Sequence, residues 1–486
     1  MNEQHRQQVL DVLKTIRGAQ EKKLYALCQD GADSLIGFLG KYNYCDNKII
    51  AILDEYIRLI FMVHNNEVDI SVADKHLVII ENFFTPKNDY KLEIVFLPYK
   101  ASMWDALESV WLAAKDDPRC NAHVIPIPYY DRLPNGKLGE MHYEGDLYPD
   151  YVPVVDWKDY NIEEMKPDVA FIHNPFDDKN LLTCLPDSYQ AKNLYNNVGL
   201  LVHLPYVVLY KEVRPTHIIS DGVLISDITV VQSEKIKNIY VEHLAKLFGD
   251  NSSDYKKKIV AIGSPKADKI LNSKISDFII PDEWKDKSKG KHVIFFNTSI
   301  GPMLENTLPD KNNYLATLKN VLAYFKECEN TIVLWRPHPL IEQAFKQMRP
   351  MYLAEYLEIR DLFISESYGI YDDSADVHRA VAFSNAYYGD GGSVVVMFCI
   401  SGKPVQVHNY ALNINHIEKL DDHLFTQDFI WEKNDNSNLN LFINSLNKLI
   451  VNNELRRNKF CNEFLDDTTG TAGKKILEYI FSDVKK

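Results

Sequence analysis

The chain reads as an α/β protein: two doubly wound, Rossmann-like units behind a helical amino-terminal extension. Three observations predict this. Residues 1–85 carry apolar residues at helical spacing. From residue 86 to 280, short apolar runs alternate with helical stretches. A second alternating series begins near Lys257 and supplies the unit at 281–486. Alternation of strand and helix implies parallel sheets with crossover helices. A chain of 486 residues also exceeds one ordinary core.

In the extension, Val9, Leu13 and Ile16 share one helical face, Leu35, Phe38 and Leu39 repeat the pattern, and Ile49–Val63 is a further helical run. The first strand is LEIVFLP, Leu92–Pro98. Ser102 then stands as an N-cap candidate before MWDALESVWLAAK. AHVIPIP, VAFIH, GLLVHLP and ISDITVVQS follow as strands, and EKIKNIYVEHLAKLF as a helix. The second series runs through KIVAIGSP, HVIFFNTS (His292–Ser299), TIVLWRPHP (Thr331–Pro339), DLFISES, NAYYGD and KPVQVH. Three helical segments close the chain from about Asn438 to Phe481. Ligands of doubly wound sheets sit beyond the carboxyl ends of the strands, so the cleft between the two units is the expected site.

Composition removes several functions. Apolar residues make up 46% and charged residues 25%, an ordinary globular balance. A formal net charge of −14 argues against general nucleic-acid binding. Seven scattered cysteines show no CxxC or Cys/His spacing, so reduced thiols and no metal site are expected. The first residues lack the apolar core of a signal peptide, and no stretch approaches the ~20 apolar residues that span a bilayer. The expectation is a cytoplasmic protein whose membrane contact, if any, is peripheral and at the inner face.

Four motifs carry candidate chemistry. In AYYGDGGSVVVMF, Ala386–Phe398, a strand ends at Gly389–Asp390 and Ser393 opens a helix. Gly391 and Gly392 allow close backbone approach, so the first helix amides and the Ser393 hydroxyl can hold a phosphate. A glycine turn with no ligand explains the same residues. In WRPHP, a strand delivers Arg336 and His338 to a polar end. Arg336 offers a charged fork for phosphate oxygens, and His338 can donate a hydrogen bond or pass a proton. Ser299, ending its own strand, joins Asp390 and these residues in the phosphate-binding set. On the amino-terminal side, His173 and Asp177 of IHNPFDDKN, with Asp178, and His203 of LVHLPYVVLYK are cleft candidates, though such loops are also ordinary capped turns. Tyr129 is expected to pack, and His378 to be an ordinary helix residue.

Together these pieces resemble the CDP-glycerol glycerophosphotransferase family, the polymerases and primases of teichoic acid. That family's HG…K element is matched by Val202–Lys211, with His203–Leu204 in place of HG. Its GxPRxD-like element is matched by IGSPKAD, Ile262–Asp268, its RxHP by WRPHP, and its [ST]DYSS loop by GDGGS, followed by Lys403–Pro404. GDGGS lacks the Tyr and the first Ser of that loop. The resemblance spans residues 200–410. It implies a GT-B fold with the donor site in the carboxyl-terminal half, no cofactor and no obligate metal. It implies transfer of a polyol phosphate from a CDP-linked donor, CDP-glycerol foremost, to a hydroxyl of a cell-surface glycan or glycolipid. It makes His203 the candidate general base and places Arg336, His338 and Ser393 on the phosphate charge. A nucleotide-sugar glycosyltransferase and a non-catalytic donor-binding protein are the alternatives.

Overall fold

The computed structural model describes residues 3–84, 91–209, 215–249, 252–305, 314–408, 430–432 and 437–483, apart from 43, 45, 46, 134, 178, 181 and 375. Asp178 and Lys211, both named above, lie outside the described residues. So does Cys45; the other six cysteines are free thiols.

The amino-terminal segment is a bundle of the helices Glu3–Glu21, Tyr25–Lys41, Asn47–His64 and Ile70–Phe84. They close on a core of their own, which takes in Val9, Leu13, Ile16, Leu35 and Leu39, the positions that a 3.6-residue period selects. Arg17 ties the first helix to the fourth, with two bonds of 2.6 Å to Glu81 and one of 3.0 Å to Asp74.

The first sheet contains β1 (Leu92–Leu97), β2 (Cys120–Val124), β5 (Val169–Ile172), β7 (Leu200–His203), β8 (Ile228–Val231) and β9 (Ile259–Ala261), all parallel, in the order β2-β1-β5-β7-β8-β9. A small antiparallel sheet, β4-β3-β6, is inserted between its elements. It consists of β3 (Tyr129–Arg132), β4 (Leu138–His142) and β6 (Thr183–Cys184). The second sheet contains β10 (His292–Thr298), β11 (Thr331–Pro337), β12 (Ile370–Tyr371), β13 (Ala386–Asp390), β14 (Val405–His408) and β15 (Ile430–Glu432). It too is parallel, in the order β12-β11-β10-β13-β14-β15. The middles of its central strands are apolar because helices cover both faces.

Strand order fixes where each sheet opens. The order in which successive strands are added reverses between β1 and β5 in the first sheet and between β10 and β13 in the second, while the strands themselves stay parallel. At such a switch point neighbouring crossovers leave on opposite faces, which opens a crevice at the carboxyl edge.

Two local details differ from the sequence reading. After β1 the chain forms a 3-10 turn, Ala101–Ala106, before the helix Glu108–Ala114, and neither has a side-chain N-cap. Of the closing helices, Ser437–Ile450 and Asn453–Phe464 pack on the second sheet. The last, Ala472–Asp483, returns to the first, where Ile476, Leu477, Ile480 and Phe481 enter its core. Two glycines permit that return. A Cβ on Gly473 would lie 2.3 Å from the Ser109 backbone, and one on Gly263 2.6 Å from the Ala472 Cβ. No helix among the described residues is long and apolar enough to cross a membrane.

Candidate functional site

The second switch crevice gathers the carboxyl-terminal motifs. Asn297 of β10 pairs with Arg336 of β11 on one side and with Gly389 of β13 on the other. WRPHP and GDGGS, about fifty residues apart in sequence, therefore flank one strand. The His338 N–H donates to the Thr298 carbonyl at 2.9 Å. Asp390 Oδ2 accepts the Ser299 N–H at 2.6 Å, the Ser299 hydroxyl at 3.1 Å and the Tyr314 hydroxyl at 2.7 Å. The end of β10 is thus tied to both loops.

Asp390 is fully buried, and burial raises its pKa to about 7 despite these three donors. Its role in the geometry is to position Ser299 and shape the loop from below. Gly389 allows the strands to meet: its φ is +139°, and a Cβ there would lie 2.2 Å from the Asn297 carbonyl oxygen. Gly392 differs, with nothing within 4 Å of a Cβ built on it. Gly391 and Ser393 are exposed. From Ser393 a helix runs to Ser401, buried from Val395 to Ile400, with no side-chain cap at its start. The Val395 N–H turns back to the Gly392 carbonyl at 3.2 Å, and an anion at an uncapped helix start would satisfy the amides before it.

His338 stands exposed beside this opening. Desolvation of its ring, followed by the charges of Lys100 and Arg336, lowers its pKa to about 4. Its Nδ1 accepts the Leu340 N–H at 3.1 Å. A neutral ring whose Nδ1 accepts carries its proton on Nε2, so His338 offers an N–H donor to the cleft.

Arg336 does not present the open fork that the sequence suggested. Its guanidinium is buried and paired with Asp372, and it also donates to the Ser374 carbonyl at 2.6 Å and the Ser374 hydroxyl at 3.4 Å. The fork is filled by the protein's own carboxylate, because β12 delivers Asp372 beside the end of β11. Arg336 stiffens the WRPHP loop from behind.

The amino-terminal candidates are also structural in this state. His203 is 1% exposed, packed against Gly222, and burial lowers its pKa to about 3. His173, at the end of the adjacent β5, is fully buried. Its Nε2 accepts the Tyr99 N–H at 3.3 Å, and its pKa too is lowered to about 3 by burial. Both rings are neutral and buried. Asp177 accepts the Ala191 N–H at 2.9 Å and so caps the helix Ala191–Asn197.

Two residues that the sequence did not single out lie at the junction of the units. Asp105, buried in the 3-10 turn after β1, receives Lys266 Nζ at 2.6 Å and His378 Nε2 at 2.7 Å. His378 is therefore a bridge between the units. Lys266 and Asp268 belong to IGSPKAD, and Asp268 accepts the Ala472 and Gly473 N–H groups at the start of the returning helix. That motif is a joint. The second residue is Lys100, which follows β1 at the first switch point. Among the described residues no group of three or more His, Cys, Asp or Glu side chains is arranged to hold a metal ion.

Neither a family model nor a curated protein matches the sequence. Solved structures do. The fold is similar to that of the wall teichoic acid polymerase TagF, at 14% identity over 91% of this chain and 99% of that one, with a TM-score of 0.51. It is also similar to S. aureus MnaA in a structure with UDP, at 12% identity over 81% of this chain and 97% of that one, with a TM-score of 0.50. At such identities the likeness speaks to architecture. With two parallel switch-point sheets and a last helix that crosses back to the first, the chain has the GT-B fold.

Proposed function

We propose that the protein is a GT-B transferase that takes a nucleotide-activated donor in the second switch crevice and acts on a hydroxyl acceptor. The reading rests on one observation. The helix Ser393–Ser401 starts without a side-chain cap directly after Gly391 and Gly392, at the carboxyl end of β13, which borders β10 at the switch point, and His338 follows β11 on the other side of β10. Amides at a helix start and a neutral imidazole donor suit the oxygens of a diphosphate. The motif order and the TagF-like architecture favour a CDP-linked polyol, with CDP-glycerol as the first donor to try.

In that reaction an acceptor oxygen attacks the distal phosphorus. A new P–O bond forms, the bond to CMP breaks, and the hydroxyl proton leaves with a base. The helix amides, Ser393 and His338 hold the phosphate charge as it redistributes, while Asp390 and Arg336 keep the two loops in place. The acceptor, a glycan or glycolipid hydroxyl, enters from the first unit's side of the cleft. A membrane-borne acceptor would be met peripherally.

One observation favours a second reading, donor binding without turnover. His203, which the resemblance puts at the position of the family's HG histidine, is 1% exposed. Incubation with CDP-glycerol, CDP-ribitol and UDP-sugars, with and without glycan acceptors, separates the possibilities. Release of CMP supports polyol-phosphate transfer, and release of UDP supports glycosyl transfer. Tight binding with neither product supports the second reading.

A further inference from the structure

Gln232 follows β8 at the carboxyl edge of the first sheet and is 5% exposed. Its side chain makes three hydrogen bonds: Oε1 accepts the Leu209 N–H at 2.6 Å, and Nε2 donates to the Leu209 carbonyl at 2.8 Å and to the Phe464 carbonyl at 2.9 Å. The amide thus pairs with Leu209 as a neighbouring strand would, and it takes up a last-turn carbonyl of the helix Asn453–Phe464. Turning the amide over would break all of these bonds, so its orientation is fixed. The Gln232 carbonyl also accepts the Asp466 N–H at 3.1 Å, and Asp466 Oδ2 accepts the Glu234 N–H at 2.8 Å.

One residue therefore holds two segments that lie far apart in sequence. The first is the loop 204–209, which leaves β7 directly after His203 and whose Val208 joins the core of the second sheet. The second is the end of the helix Asn453–Phe464. That helix lies against Ser393–Ser401: Arg456 Nε donates to the Gly402 carbonyl at 3.0 Å, and a Cβ on Gly402 would collide with the Asn453 carbonyl. Phe460, Cys461 and Phe464 share one core with residues 395–400. A continuous path of packed and hydrogen-bonded groups runs from the helix Ser393–Ser401, through Asn453–Phe464 and Gln232, to the loop after His203. Contiguous contacts of this kind carry coupling between distant sites.

We propose that Gln232 is a positioning residue that couples the first unit's loop 204–209 to the helix Ser393–Ser401 of the second unit. A ligand at the start of that helix then steadies the loop that leads out of His203, and donor occupancy is felt on the acceptor side of the cleft. Which molecule occupies the crevice rests on the donor reading above; the tie through Gln232 does not.

Hydrogen exchange of the full chain, resolved to single amides, tests the tie without ligand. Gln232→Met keeps the length of the side chain and removes its bonds. Exchange rises at least tenfold at Leu209 and at least threefold at Asp466, although the Asp466 N–H bonds to a backbone carbonyl that the substitution leaves in place. Acceleration at Leu209 alone would show a local brace and overturn the proposal. Should Gln232→Met fail to fold, Asp466→Ala, at an exposed position, reads the tie from the other end. Leu209, which is not a hydrogen-bond partner of Asp466, then exchanges at least threefold faster, and an unchanged rate overturns the proposal. CDP serves as the probe of the crevice. It slows Leu209 exchange at least threefold in the parent and leaves it unchanged in Gln232→Met. Binding of CDP with no slowing in the parent also overturns the proposal. If CDP does not bind at all, the donor reading fails by itself, and the ligand-free rates still uphold or overturn the tie.

Discussion

Ser299 gives both its backbone N–H, at 2.6 Å, and its hydroxyl, at 3.1 Å, to the same oxygen of Asp390. One carboxylate thereby joins the ends of β10 and β13, the two strands that border the crevice. Its buried position makes the joint sensitive to pH. The folded pKa of Asp390 lies near 7, above the usual carboxylate value of 3.8, so between those limits the folded state binds more protons than the unfolded state. Its contribution to stability is complete below pH ~4 and is lost as pH rises through about 7. Asp390→Asn cannot titrate. The stability of the parent relative to this variant, from urea unfolding, falls by at least about 1.4 kcal/mol from pH 4.5 to 7.5, one pKa unit's worth. A constant difference across that range would contradict the account.

Arg336→Ala is expected to act first on stability. It leaves Asp372, 2% exposed, without its main partner. Stranding one member of a buried pair costs about 3–5 kcal/mol. Arg336→Met combined with Asp372→Leu removes both charges and recovers much of that loss. A double-mutant cycle in urea measures the coupling, and additive losses would show that the pair is not the source.

The glycines of one loop separate by role. Gly389→Ala forces a Cβ onto the Asn297 backbone at a positive φ and is expected to lose at least about 2 kcal/mol. Gly392 has an extended φ of 178° and open space around it, so Gly392→Ala is expected to stay within about 0.5 kcal/mol of the parent. Thermal melts of both variants check this ordering.

Asp105→Ala removes the one carboxylate that Lys266 and His378 share across the two units. Lys266 is 8% exposed, so its stranded charge lowers stability by about 3–5 kcal/mol. Asp105→Asn keeps a hydrogen-bonding oxygen for the His378 ring and loses less. Limited proteolysis then cuts Asp105→Ala faster than Asp105→Asn, and equal rates would argue against a bridge between units.

The architecture was largely legible because buried parallel strands are nearly continuous apolar runs. HVIFFNTS and TIVLWRP could hardly be read otherwise, and a strand-to-glycine-to-helix pattern marked the GDGGS turn. What escaped notice depended on partners distant in sequence. Nothing near Arg336 announces Asp372 as its counter-ion, 36 residues on. Nothing near His378 announces Asp105, 273 residues away. His203 and His173 follow strands as cleft residues would, but burial depends on the covering loops, and those carry no periodic signal. Lys100 was overlooked because one lysine after a strand is common. Only its burial against Tyr129 and Glu144 sets it apart. The last helix has an amphipathic pattern that fits either sheet, and Gly263 and Gly473 become informative only once their neighbours are known.

The central claim is that a nucleotide-linked diphosphate sits at the start of the helix Ser393–Ser401. Calorimetric titration of CDP-glycerol into the parent, Gly392→Ala and Ser393→Pro tests it most directly. Proline is tolerated at the first helical position, so Ser393→Pro removes an amide donor without breaking the helix. The account predicts binding to the parent and at least tenfold weaker binding to both variants, about 1.4 kcal/mol or more, at unchanged melting temperatures. No binding to the parent, or equal binding to all three proteins, would contradict it.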